Sequence, residues 1–257
     1  MKRICSACLV ILIIISASTV SAAAVKTDGL LLLGDSIATG YGLRDAEAES
    51  YGAMLAEALD TSLYSNLAIN GATSGDLAEL LEAPAAIATV SSHSAIVISI
   101  GGNDVLRNAV PLLFGGVRSQ ERLETVIARF SENIEIIFTM IKNANPNARV
   151  FIQTVYNPFS GVDRLEYFND TADAAMIELN NVISESAAQY GYTVVDIYDA
   201  FYENARAYTN IMFLDIHPNS AGHALIFEML YSAMEVPVRR PGAGMIVTYD
   251  LYKYVVM

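Results

Sequence analysis

The segment Leu30-Leu31-Leu32-Leu33-Gly34-Asp35-Ser36-Ile37-Ala38-Thr39-Gly40-Tyr41-Gly42 opens with four consecutive leucines and closes in glycines. A short apolar run bounded by turn residues reads as a buried strand. Ser36 falls just past its end, flanked by Asp35 and several glycines. A serine on such a turn exposes both its hydroxyl and its backbone N–H, which is where a nucleophile is useful. By itself Gly-Asp-Ser is also an ordinary turn sequence. Two further segments fit the same chemistry: Gly101-Gly102-Asn103-Asp104 after another apolar run, and Asp215-Ile216-His217-Pro218 toward the C-terminal end.

Outward from Leu30, apolar runs alternate with helical patterns. Strands are expected at Leu30–Leu33, Leu63–Ala68, Ala95–Ile100, Arg149–Thr154 and Thr193–Ile197. Helices are expected at Ser50–Leu59, Gly75–Glu82, Ser119–Asn143, Asp170–Tyr190 and Ser220–Met234. Strands separated by helices imply right-handed crossovers and a parallel sheet covered on both faces. The expected fold is therefore α/β, a three-layer α/β/α domain with a five-stranded parallel sheet. In open sheets of this kind ligands sit at the carboxyl ends of the strands. Ser36, the Asn70–Gly75 segment and Asn103 all follow strand ends, so they gather at one edge.

The N-terminus has a different character. Lys2 and Arg3 precede an apolar run from Ala7 to Ile15, and small residues follow to Ala24. That order is the one found in secretory signal peptides. It makes residues 1–24 a cleaved leader and 25–235 the working domain. The alternative is an uncleaved anchor, although the run is short for a spanning helix. The expected location is secreted or extracytoplasmic, with no stable membrane insertion once the leader is removed. Both cysteines, Cys5 and Cys8, lie in the leader, so the working domain lacks thiol chemistry. The tail 236–257 contains β-like stretches and could form an edge hairpin. The formal charge of −13 becomes two units more negative without Lys2 and Arg3. Such a surface repels nucleic acid and anionic headgroups at long range.

A serine hydroxyl needs a base to take its proton. Three histidines are available. His93 precedes a strand, at the wrong sheet edge, and reads as a solvated turn residue. His223 falls inside the last helix pattern and reads as structural. His217 lies in the loop before that helix and is the well-placed base. The oxyanion of an acyl-transfer intermediate needs hydrogen-bond donors. The backbone N–H groups of Ser36 and Gly75 and the amide of Asn103 are available at the same edge. Gly101–Asp104 could also be a plain turn. No phosphate-loop spacing, dinucleotide fingerprint or His-Glu-x-x-His metal pattern occurs.

These blocks together resemble the SGNH/GDSL hydrolases, serine esterases with a flavodoxin-like sheet. The matching blocks run in order from Gly34 to Pro218. They are Gly34-Asp35-Ser36 with Ile37 in place of leucine, Asn70 to Asp76, Gly101 to Asp104, and the segment around His217. The resemblance implies Ser36 as nucleophile, His217 as base, and Ser36, Gly75 and Asn103 as oxyanion donors. It implies no cofactor and no metal. One departure stands out. The usual final block has Asp three residues before His, where this chain has Leu214; the nearest acid is Asp215, two residues before. Asp215 is the first candidate to orient His217. A backbone carbonyl, Asp196 or Asp199 are the others. The implied substrate is a small-molecule ester, acyl or lysophospholipid, or a carbohydrate O-acetyl ester in a polysaccharide. The reading from a different class is a secreted binding module without catalysis.

Overall fold

In the computed structural model, which describes residues 28–108 and 118–235, the chain forms a five-stranded parallel sheet. The strands are β1 (Leu30–Gly34), β2 (Tyr64–Asn66), β3 (Ala95–Ser99), β4 (Arg149–Gln153) and β5 (Thr193–Val195). Their spatial order is β2-β1-β3-β4-β5, the flavodoxin-like order. Residues 1–24, expected to form a leader, and the 236–257 tail, with its expected edge hairpin, lie outside the described residues.

Side chains alternate across a strand, so the leucine run serves two cores at once. Leu31 and Leu33 join Ile96, Ile98, Val150 and Ile152 under the helices Ser74–Glu82, Pro84–Ser92, Arg118–Ala144 and Glu166–Tyr190. Leu30 and Leu32 join Ala95, Val97 and Phe151 under the helices Tyr51–Ala58 and Ser220–Glu235 on the other face. All of β1 and β3 is buried. Helices cover both faces, giving the three-layer α/β/α arrangement.

The edge strands are shorter than their sequence suggests. β2 stops at Asn66, whose side chain accepts from Ala68 N–H and donates to the Ala38 carbonyl. β5 stops at Val195 because Asp196 caps the helix Ile197–Phe201, accepting from Asp199 N–H. His93 is a correction. It is buried, not solvated, with Nδ1 2.7 Å from the Thr89 carbonyl. His223 is buried in the Ser220–Glu235 helix, where Nδ1 accepts from Tyr51 N–H. Burial pushes its pKa down to about 4, which keeps the ring neutral.

β1 and β3 meet tightly where the strand order reverses in the sheet. Gly34 has φ +135°, and a Cβ there would stand 1.9 Å from the Ser99 carbonyl oxygen. Only glycine permits this approach. It lets Asp35 N–H donate to that carbonyl at 3.0 Å, which points the chain out of the sheet at the crevice between the two strands. That crevice is the switch point at which such sheets bind ligands.

Candidate active site

Asp35 caps the one-turn helix Ser36–Thr39, its Oδ1 accepting from Ile37 N–H at 3.0 Å. Gly40, at φ +75°, ends the helix. Ser36 is thus the first helical residue, and among the described residues no acceptor takes its N–H. A first-turn N–H left free in this way is a ready donor for an anion. Burial drives the Asp35 carboxyl up to about 7, and the Asp104 charge pushes the same way.

The sign of that shift gives a prediction. A carboxyl holding its proton more tightly when folded favours folding most below its ordinary value of 3.8. That contribution disappears as the pH rises toward about 7. Asp35→Asn keeps a capping acceptor but cannot titrate. The stability of the wild type relative to Asp35→Asn should therefore fall between pH 4 and pH 7, as read by denaturant melts across that range. A pH-independent difference would mean that Asp35 stays ionised in the fold.

His217 reaches Ser36 from the far end of the chain. Its Nε2 lies 2.9 Å from Ser36 Oγ, and its Nδ1 lies 2.5 Å from Asp215 Oδ1. The same carboxylate oxygen accepts from the His217 backbone N–H at 3.1 Å. That local ring is what makes a two-residue spacing work. The chain first turns through the 3₁₀ segment Ile211–Phe213 and Leu214, which has φ +61°. It then folds back so that Thr209 and Pro218 pair. Tyr156 OH donates to the Ile216 carbonyl at 2.7 Å, and Asn210 N–H to that of His217 at 2.9 Å. The Tyr41 ring lies 4.6 Å from the imidazole, centroid to centroid. Asp196 is elsewhere: its Oδ1 accepts from Thr154 Oγ1 and Asp199 N–H. Asp199 belongs to the helix that Asp196 caps.

A family model described as the GDSL-like lipase/acylhydrolase family matches residues 32–225. The chain belongs to this family. It is an ester-bond hydrolase of the esterase and lipase type. The Bacillus subtilis (strain 168) protein YpmR is 24% identical over 217 residues, covering 79% of this chain and 80% of that one. Among solved structures, phospholipase A1 from Streptomyces albidoflavus NA297 is similar in fold, with TM-score 0.64 and 22% identity. That match covers 80% of this chain and 99% of the other. An acetyl-xylooligosaccharide esterase from Geobacillus matches with TM-score 0.60 and 21% identity, covering 84% and 97%.

Within this GDSL fold, Ser36, Asn103 and His217 line one cavity of about 450 Å³. Asn103 sits in the short helix Gly102–Leu106, and its Nδ2 donates to the Ala72 carbonyl at 3.0 Å. One amide hydrogen is thereby fixed, and the second is left for the cavity. Gly75 needs correction. It lies in the first turn of the helix Ser74–Glu82, near Asn133 and Thr73, and is not part of the cavity wall. Gly71 is. It has φ +77°, open space where a Cβ would be, and no acceptor for its N–H among the described residues. Both glycines lie in the same block, and only the backbone path tells them apart. The path is set by Asp104, which accepts from Ser74 N–H and Oγ, and by the Thr73–Asp76 capping box. These bonds start the helix at Ser74 and place Gly75 beside Asn133, away from the cavity wall.

The rest of the cavity wall is mostly apolar and includes Ile37, Ile100, Val105, Phe159, Phe168 and Met176. These side chains come from four separate segments. Sequence reasoning named none of them as a site, because each reads locally as ordinary core.

Proposed function

We propose that the protein is an extracytoplasmic serine esterase that cleaves carboxylic esters through an acyl-enzyme on Ser36. The observation that carries this reading is the unbroken chain Ser36 Oγ–His217–Asp215 at the mouth of an apolar cavity. In the proposed sequence, Ser36 Oγ attacks the ester carbonyl while His217 Nε2 takes its proton. His217 Nδ1–H donates to Asp215, which stabilises the imidazolium that forms. The carbonyl oxygen becomes an oxyanion held by the Ser36 and Gly71 N–H groups and by Asn103 Nδ2. The alcohol leaves with the proton from Nε2. A water then attacks the acyl group with His217 again as base, releasing the acid and restoring Ser36.

The extracytoplasmic location rests on the charged, apolar and small-residue order of residues 1–24. The long apolar wall supports an acyl or lysophospholipid ester over an acetyl group, which would leave most of it unfilled. A carbohydrate O-deacetylase is the second reading, supported by the fold likeness to the Geobacillus esterase. Rates on p-nitrophenyl acetate, butyrate and octanoate, set beside lysophosphatidylcholine and acetylated xylan, test both. A rise in kcat/KM from acetate to octanoate supports the acyl reading. Acetate release from xylan with no gain from longer chains replaces it with the second. No hydrolysis of any of these esters rejects both.

Asn103→Ala should slow turnover by about 10²–10³, the cost of one oxyanion donor. KM should change far less, because the donor acts on the transition state. A raised KM with unchanged turnover would make Asn103 a substrate-binding or structural residue.

A further inference from the structure

The turn that delivers Asp215 ends in three large apolar side chains that the fold leaves outside. Met212 is 49% exposed, Phe213 86% and Leu214 81%. Phe213 and Leu214 bury little, and a φ of +61° suits glycine, asparagine or aspartate better than leucine. Their surroundings continue the same character. Tyr41 and Leu106 are about half exposed and also line the cavity, and exposed Ile69 precedes the cavity residue Asn70. Exposed apolar side chains thus stand both on the turn that delivers Asp215 and among the residues that line the cavity. Exposed apolar patches of this kind mark interaction sites.

We propose that Met212–Leu214 is an interfacial anchor, which inserts into a zwitterionic lipid surface and brings the cavity mouth to ester lipids held there. The inference rests on the esterase reading for its purpose but on the exposed turn for its substance. Charge selects the occupant. A chain at −13 is repelled by anionic headgroups, and residues 210–214 carry no charge of their own. A second copy would bring the same negative charge to the contact. A polysaccharide offers hydroxyls that Met, Phe and Leu cannot bond. A zwitterionic surface imposes no such repulsion and accepts apolar side chains below its headgroups.

The test compares the wild type with the double variant Met212→Ser/Phe213→Ser. Neither residue lines the cavity or bonds through its side chain to the Ser36–His217–Asp215 chain. Sedimentation with phosphatidylcholine vesicles should show binding that falls about tenfold or more in the variant, since each buried large apolar side chain contributes at least that factor. Hydrolysis of micellar lysophosphatidylcholine should fall with it, while hydrolysis of soluble p-nitrophenyl acetate stays within about twofold. Equal vesicle binding by both proteins would overturn the anchor. So would wild-type binding to phosphatidylglycerol vesicles stronger than to phosphatidylcholine. Concentration-dependent self-association that the variant loses, without vesicle binding by the wild type, would reassign the turn to a dimer contact. Vesicle binding is read without turnover. If no ester is cleaved but the wild type binds and the variant does not, the anchor stands and the esterase reading fails.

Discussion

Ser36→Ala is expected to lower ester turnover by about 10⁶-fold, the scale on which loss of a serine nucleophile is felt. The fold should hardly notice. The hydroxyl bonds to His217 Nε2, and the rest of Ser36 works through its backbone, which opens the one-turn helix. Alanine preserves that backbone and the Asp35 cap. The thermal midpoint should therefore stay within several degrees of wild type, since Ser36 is buried and its hydroxyl makes one hydrogen bond, worth about 0.5–1.5 kcal/mol. What remains after the substitution is oxyanion stabilisation without a nucleophile, which still exceeds the uncatalysed rate. Turnover of p-nitrophenyl butyrate, a thermal melt and fluorophosphonate labelling read the three consequences separately. Residual activity above a tenth of wild type, with the melt unchanged, would remove Ser36 from the reaction. A labelled variant would place the nucleophile on another residue.

How much of this was legible in the sequence follows from which forces are local. β1 and β3 are buried on both faces, so their composition alone betrays them. The alternation of strands and helices then implies the parallel sheet. The helix Pro84–Ser92 carries no such signal: its alanines, serines and single threonine give little periodic contrast, even though Pro84 stands at a typical first-turn position. Ser36, Asn103 and His217 were readable because each sits beside a strong turn or helix-start signal. Gly71 was not distinguished from Gly75, since a glycine's φ is decided by hydrogen bonds to residues such as Asp104, 30 positions away from Ser74. His93 was misjudged for a related reason. Its burial depends on packing beneath Gly29 and bonds to Thr89, which no local pattern announces.

The orientation of Asp215 was the least legible feature, and it yields the second large effect. Asp215→Ala should cost about 10⁴ in turnover, comparable to removing the acid of other Ser-His-Asp sets. Alanine leaves His217 Nδ1 without its acceptor, so the ring is free to take the tautomer that cannot accept the Ser36 proton. Asp215→Asn should be milder here, because one carboxylate oxygen accepts from both His217 Nδ1 and the His217 backbone N–H. An asparagine that turned its NH₂ toward the ring would face that backbone donor as well. The amide oxygen is therefore held in place, and with it the correct tautomer. What is lost is the charge facing the imidazolium, about tenfold on the difference between charged and neutral hydrogen bonds. Both variants should keep their KM within a few-fold, since neither touches the cavity wall. Turnover of the two variants beside the wild type decides the matter. An asparagine variant as poor as the alanine one would mean that the amide flips and the backbone N–H does not direct it. An alanine variant within tenfold of wild type would leave the backbone bonds at Ile216 and His217 as the groups that hold the ring, and Asp215 would then be no part of the catalytic set.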